Sequence, residues 1–177
     1  MAGETVGKIL FTEEQIRSRA RELGQQITAD YQDCQLVVVG TLNGAIMWMC
    51  DLVKNIDLDL RLDFISAHSY GSGTISSGNV NITKDLEMDV TGKDVLIVED
   101  IVDSGNTLSF LKNTYFDNKG ARSVRICTML NKPARREAEG LTLDYVGFTV
   151  EDLFIVGYGL DFDQKYRSLP YISYLAE

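Results

Sequence analysis

Apolar residues at Ile16, Ala20, Leu23 and Ile27 recur at helical intervals behind Thr12-Glu13-Glu14-Gln15, which has the spacing of a capping box. Together they predict a helix running to about Tyr31. Residues 36–39 (Leu-Val-Val-Val) form a continuous apolar run, the signature of a strand covered on both faces. After a turn around residues 40–44, the run at 45–50, continued by Leu52, Val53 and Ile56, reads as a buried helix whose methionines and tryptophan belong to the core. Residues 58–66 alternate as a strand does. Residues 68–78 then become small, polar and glycine-rich, the pattern of a mobile hairpin or loop, and residues 80–86 return from it as a strand.

A turn at Thr91-Gly92-Lys93 leads into a second continuous apolar run, Val95-Leu96-Ile97-Val98. Beyond it, Leu108, Leu111 and Tyr115 mark a helix ending near Gly120, followed by strands over 124–130 and around 145–150. Strands alternating with helices imply an α/β fold with a mainly parallel central sheet flanked by helices. There is no internal repeat or low-complexity tract.

Composition narrows this picture. A chain of 177 residues that is 45% hydrophobic with two prolines fits one domain over residues 1–177 and excludes extended disorder. A net charge of −9 argues against nonspecific attraction to nucleic acid, which needs clustered Lys and Arg. Cys34, Cys50 and Cys127 are odd in number, far apart and set in or beside apolar runs, so they read as reduced core residues. No basic-then-apolar leader and no apolar run of membrane-spanning length is present, which points to a cytoplasmic protein without a membrane partner.

The chemistry concentrates in residues 94–107, Asp-Val-Leu-Ile-Val-Glu-Asp-Ile-Val-Asp-Ser-Gly-Asn-Thr. Glu99 and Asp100 emerge at the carboxyl end of the buried strand, the edge where open α/β sheets gather ligands. From Asp103 to Thr107 the chain forms a tight turn. Gly105 there admits close backbone approach, and the helix-start amides with the Ser104 and Thr107 hydroxyls can hold a phosphate. The two acids before the turn suit ribose hydroxyls or a magnesium ion. Helix capping alone would explain some of these residues. It does not require two adjacent acids, a third four positions after the first, and Ser-Gly-x-Thr at one junction. The chain offers no Gly-x-x-x-x-Gly-Lys-Ser/Thr, so this is not a Walker motif.

Residues 94–107 resemble the phosphoribosyl-pyrophosphate binding motif of the type I phosphoribosyltransferases, in which Ser104, Gly105, Asn106 and Thr107 would line the phosphate. Four further segments resemble the hypoxanthine-guanine phosphoribosyltransferase family in order and spacing. Gly40-Thr41-Leu42-Asn43-Gly44 resembles the pyrophosphate-binding loop, in which the peptide before the glycine can be cis; Asn43 stands where family members usually carry Lys or Arg. Ser69 and Tyr70, with the glycine-rich stretch, resemble a long flexible loop that closes over the active site. His68, the only histidine, reads as loop structure, so a histidine base is disfavoured.

Asn131-Lys132-Pro133 follows a strand at the ligand edge, and Lys132 resembles the family's contact to the purine oxygen. An ammonium donates hydrogen bonds and accepts none, so it can select a 6-oxopurine over adenine. Arg135 and Arg136 read as surface charges. Residues 153–161 resemble the purine-binding strand and its metal-linked acid. The family often has a basic residue where Leu153 stands. The resemblance implies that Phe154 stacks on the base, the Ile155 main chain reads the purine edge, Asp161 joins Glu99 and Asp100 in holding magnesium, and Arg167 meets the diphosphate.

The resemblance further implies a flexible lid loop, a small hood region, a homo-oligomer (dimer or tetramer), and transfer of a 5-phosphoribosyl group to hypoxanthine or guanine. The substrates would be phosphoribosyl pyrophosphate and a purine base. The resemblance implies that Asp103 accepts a proton from the purine imidazole side. A noncatalytic phosphoribosyl-pyrophosphate sensor of the same fold would need a basic face or an added DNA-binding segment, and the acidic balance argues against it. A xanthine-preferring enzyme is the alternative within the family.

Overall fold

The computed structural model describes residues 5–69 and 80–176. In chain order these form β1 (Thr5–Val6), α1 (Glu13–Asp30), β2 (Leu36–Thr41), α2 (Ile46–Val53), β3 (Arg61–Ser69), β4 (Val80–Lys84), β5 (Asp94–Val102), α3 (Asn106–Phe110), α4 (Phe116–Asn118), β6 (Ser123–Asn131), β7 (Tyr145–Thr149), β8 (Ile155–Val156) and β9 (Ser173–Ala176). The main sheet has the order β4-β3-β2-β5-β6-β7. Only β4 runs antiparallel, against β3, and the other neighbours pair in parallel. The strands β1, β9 and β8 form a small second sheet.

The apolar runs explain the layering. Along β5 successive side chains point to opposite faces. Leu96 and Val98 pack with Ile16, Leu23, Ile27, Trp48 and Leu52 of α1 and α2, while Val95 and Ile97 pack with Leu108, Leu111 and Phe116 on the other side. Every residue of β2 and the first five of β5 are buried. Parallel strands covered by helices on both faces need such continuous apolar runs.

α1 starts where the capping box predicts. The Gln15 amide donates to Thr12 Oγ1 at 3.3 Å and Gln15 Oε1 accepts from the Thr12 amide at 2.8 Å. Arg19 fastens the helix to β7 by donating to the Val146 and Gly147 carbonyls at 2.8 and 3.1 Å. After β5 the helix is not uniform: α3 passes through a π-helical segment, Leu111–Tyr115, into α4.

Several expectations require correction. β2 runs on through Gly40 and Thr41, so the turn begins later than the glycine suggested. α2 is not buried all round: Ile46 and Met47 are exposed, and so is Cys50, which is therefore not a core residue; Cys34 is half-buried and Cys127 alone is fully enclosed. An eight-residue helix lying on a sheet can bury one stripe, here Trp48, Met49 and Leu52. β3 starts at Arg61 and continues to Ser69, later than the alternation at 58–66 implied. The purine-strand segment contains only the two-residue β8, because Gly157, Tyr158 and Gly159 all have positive φ and turn the chain. Of the loop expected over residues 68–78, His68 and Ser69 instead end β3 and pair with β4, so His68 is a strand residue and not loop structure, and residues 70–78 lie outside the described residues. Among the described residues no helix is long and apolar enough to cross a membrane.

At the amino end of β5, Asp94 is nearly enclosed and accepts from Arg122 Nε at 3.0 Å, from Arg122 Nη2, and from Ser123 Oγ at 2.6 Å. The Arg122 hydrogen bond above all holds this carboxyl below the ordinary carboxylate range, against the opposing effect of burial. A depressed folded value means that the stabilisation is complete above the unfolded value of about 3.9. It disappears as pH falls through the folded value. Asp94→Asn is therefore expected to unfold at a lower temperature than the wild type at neutral pH, with the gap narrowing in acid. Thermal unfolding across that range checks this, and a gap independent of pH would contradict it.

Candidate active site

The carboxyl ends of β2, β5 and β6, with the turn beyond β8, deliver the polar residues to one edge. At the end of β5, Glu99 accepts from Thr41 Oγ1 at 2.8 Å, so the last residue of β2 holds the first acid of β5. Asp100 accepts from the Ile101 amide at 2.8 Å. Burial first, and the adjacent Asp100 carboxylate second, push the Glu99 carboxyl well above the usual carboxylate range. Two neighbouring acids in this condition form a site that gains from a cation.

The loop after β2 lies directly against these acids. Its Leu42–Asn43 peptide is cis, one peptide earlier than the bond before the glycine. Asn43 is exposed and Gly44 is buried. A Cβ on Gly44 would run into the Asp100 carboxylate, so the loop approaches the acid at a distance that only glycine permits.

Beyond β5 the chain turns through Asp103, Ser104 and Gly105 into α3. Gly105 has φ 81°, and a Cβ there would also press on Leu141, Arg136 and Ala138 at 2.8, 3.0 and 3.3 Å. The Asn106 amide donates to Ser104 Oγ at 3.4 Å, and Asn106 Nδ2 donates to Glu137 Oε2 at 2.8 Å. Glu99, Asp103, Ser104, Gly105 and Thr107 help line a cavity of about 220 Å³. Its mixture of acids, hydroxyls and main chain suits a phosphorylated sugar.

Lys132 joins this loop to the next part of the site. Its side chain is 6% exposed, and Nζ donates to the Leu153 carbonyl at 2.9 Å while standing 3.6 Å from Asp103 Oδ1 and 3.7 Å from Asp152 Oδ1. Asp103 Oδ1 is buried and has no hydrogen-bond partner. Phe154, one residue past the carbonyl that Lys132 holds, is 53% exposed, with Phe162 edge-on at 5.3 Å. An aromatic face left open beside a buried ammonium suits a planar heterocycle. Ile155 is buried in β8.

Asp161 and Arg167 occupy the turn beyond β8. Arg167 Nη2 pairs with Asp161 Oδ1 at 2.7 Å, and its Nη1 donates to the Gly159 carbonyl at 2.6 Å. Asp161 Oδ2 also accepts from the Gln164 amide at 2.8 Å. Among the described residues no three acidic, histidine or cysteine side chains gather closely enough to hold a metal ion. The expected trio of Glu99, Asp100 and Asp161 is thus not assembled as one cluster: the first two stand together, and Asp161 is engaged by Arg167.

A sequence model of the phosphoribosyl transferase domain matches residues 8–163. The chain belongs to this family. It is 47% identical over 175 residues to the hypoxanthine-guanine phosphoribosyltransferase of Bacillus subtilis, covering 99% of this chain and 96% of that protein. It is 46% identical over 168 residues to the hypoxanthine phosphoribosyltransferase of Escherichia coli, covering 94% and 93%. A crystal structure of the hypoxanthine phosphoribosyltransferase from Staphylococcus aureus superposes with a TM-score of 0.92 at 46% identity, over 97% of this chain and 92% of that one.

Within this phosphoribosyl transferase fold, Asp103, Ser104, Gly105, Asn106 and Thr107 lie on one turn into α3, and Gly44, preceded by the exposed Asn43, meets Asp100 next to Glu99. Lys132 connects the loop to the Phe154 segment. Ser69 ends β3, and Tyr70 lies outside the described residues. Sequence reasoning missed Thr41 as the support of Glu99, Asp152 as a neighbour of Lys132, and Arg136, which is half-buried under the donor loop and is not a surface charge. A threonine ending a buried strand could have flagged Thr41. No local pattern identifies an arginine whose partners are carbonyls distant in sequence.

Gly44→Ala is expected to reduce phosphoribosyl transfer by about 100-fold, the cost of misplacing reacting groups by roughly 1 Å. Steady-state rates and thermal unfolding measured together test this. Full activity in the substituted protein would show that the loop does not need its contact with Asp100.

Proposed function

We propose that this protein is a purine salvage enzyme that transfers a 5-phosphoribosyl group from phosphoribosyl pyrophosphate to N9 of hypoxanthine or guanine, releasing pyrophosphate. The observation that carries this reading is the position of Lys132 between Asp103 and the Leu153 carbonyl. One ammonium thereby links the loop suited to the sugar phosphate with the strand suited to the base.

The 5-phosphate rests on the main chain and hydroxyls of Ser104 to Thr107. Glu99 and Asp100 face the ribose hydroxyls and the diphosphate side. The base stacks on Phe154, with the Ile155 main chain at its edge. Lys132 donates to the 6-oxo group; a 6-amino group would bring a donor against a donor. Asp103 accepts the purine imidazole proton. No covalent nucleophile is needed. Asn43 and Gly44 offer main-chain contacts to the diphosphate, and Arg167 turns from Asp161 toward it. Ser69 and Tyr70 belong to the lid that keeps water from the oxocarbenium-like centre.

The carboxylates fit magnesium, a hard cation that takes one or two protein oxygens and completes its shell with water and substrate phosphates. Glu99 and Asp100 would hold it, with Asp161 as a further ligand; when bound, it would offset the charge of the departing group. Family membership also supports a cytoplasmic homo-oligomer.

Incubation with magnesium, phosphoribosyl pyrophosphate and each nucleobase separately tests the reading. Inosine and guanosine monophosphate without adenosine monophosphate are expected. Donor binding without nucleotide from any base would favour a noncatalytic sensor, and xanthosine monophosphate as the main product would favour the xanthine-preferring alternative. Asp103→Asn keeps the shape and removes the proton acceptor, so kcat should fall by about 10²- to 10⁴-fold while donor affinity changes little. Unchanged turnover would remove Asp103 from the proton transfer. Lys132→Ala should narrow the preference for hypoxanthine over adenine by about 10- to 100-fold, the worth of a charged hydrogen bond. Competition kinetics measure it, and an unaltered preference would place the selection elsewhere.

A further inference from the structure

The segment after Lys132 wraps around the outside of the donor loop and holds it by its main chain. Arg136 Nε donates to the Asp103 carbonyl at 3.1 Å, and Nη2 donates to the Val102 carbonyl at 3.4 Å and to Asn131 Oδ1 at 2.7 Å. The amides of Glu137 and Ala138 both donate to the Ser104 carbonyl at 2.9 Å. Glu137 then reaches Asn106. Gly105 lies against the Arg136 and Ala138 side chains.

One guanidinium thus grips the end of β5, the start of the loop and the end of β6. We infer that Arg136 is a positioning residue that holds the Asp103 main chain, and with it the direction of the Asp103 carboxylate, in place. The inference rests on the proposed phosphoribosyl transfer. Its physical basis is a conflict of demands. A carboxylate can be fixed by hydrogen bonds to its oxygens, but each such bond lowers its ability to take a proton. Asp103 Oδ1 is buried without one, and its ion-pair neighbour Lys132 Nζ stands beyond hydrogen-bond distance at 3.6 Å, so its direction draws on its backbone. Arg136 supplies that support through carbonyl acceptors, which do not compete for the carboxylate. A planar fork with donors on two edges suits three acceptors from separate segments; a lysine ammonium, a point donor on a flexible stem, covers them less well.

The test compares wild type, Arg136→Ala and Arg136→Lys in steady-state turnover of hypoxanthine, in calorimetric binding of ribose 5-phosphate, and in thermal unfolding. For Arg136→Ala, kcat is expected to fall by about 100-fold and ribose 5-phosphate to bind more weakly, while KM for hypoxanthine changes less than twofold. Arg136→Lys should recover part of kcat, and added guanidinium ion at non-denaturing concentration should partly rescue Arg136→Ala. Turnover and ribose 5-phosphate affinity within twofold of wild type in Arg136→Ala would overturn the inference. So would a loss that tracks the fall in unfolding temperature and responds to neither lysine nor guanidinium, because Arg136 would then be only structural. Wild-type protein that binds ribose 5-phosphate but forms no nucleotide would defeat the enzymatic reading, and with it the proton-transfer role that Arg136 is inferred to support.

Discussion

Burial of Val95 to Val98 between two helical layers, with β2 bonded along one side and β6 along the other, is the constraint on which the site depends. The strand cannot slip by one residue without exchanging its two faces, since Leu96 and Val98 serve one core and Val95 and Ile97 the other. That register decides where the acids emerge. It also aligns Gly40 with Val98 and Thr128 with Glu99, so the loops after β2 and β6 leave the sheet close to the acids of β5. Rigid strands deliver the groups, and the loops between them supply the variable chemistry.

Charge at this edge is arranged against the overall acidity of the chain. Glu99 and Asp100 stand side by side, and burial with the adjacent Asp100 carboxylate raises the Glu99 carboxyl well above its ordinary range. The basic residues are set apart from that pair. Lys132 sits below Asp103 and Asp152, Arg136 grips carbonyls, and Arg167 holds Asp161. None is a diffuse surface charge, and each has a partner that fixes its direction. A net charge of −9 is therefore compatible with an anionic sugar-phosphate substrate: local donors, not the overall field, decide binding here.

The parallel sheet was legible because its strands are continuous apolar runs, and the helix of residues 13–30 because capping and periodicity agreed. The donor loop was legible because acids, glycine and hydroxyls crowd one strand-to-helix junction. Periodicity misjudged α2, where Met47 and Cys50 continue an apolar run yet face outward; apolar residues on one short helix do not reveal how much of it the sheet covers. The strand expected by resemblance within residues 153–161 is present but short, because Tyr158 adopts a left-handed φ of 51° that nothing about tyrosine foretells. Arg136 was read as a surface charge because its partners, Val102 and Asp103, are brought to it only by the β5–β6 pairing.

The joint placement of sugar-phosphate loop and base platform around Lys132 and Asp103 is open to a single structural measurement. A crystal structure of the protein with inosine monophosphate should show the phosphate on residues 104–107, the purine against Phe154, and its 6-oxo group within hydrogen-bond distance of Lys132 Nζ. A nucleotide seated elsewhere, for example in the separate cavity lined by Arg61 and Lys93 near the amino ends of β2 and β3, or a purine turned away from Phe154, would contradict that placement.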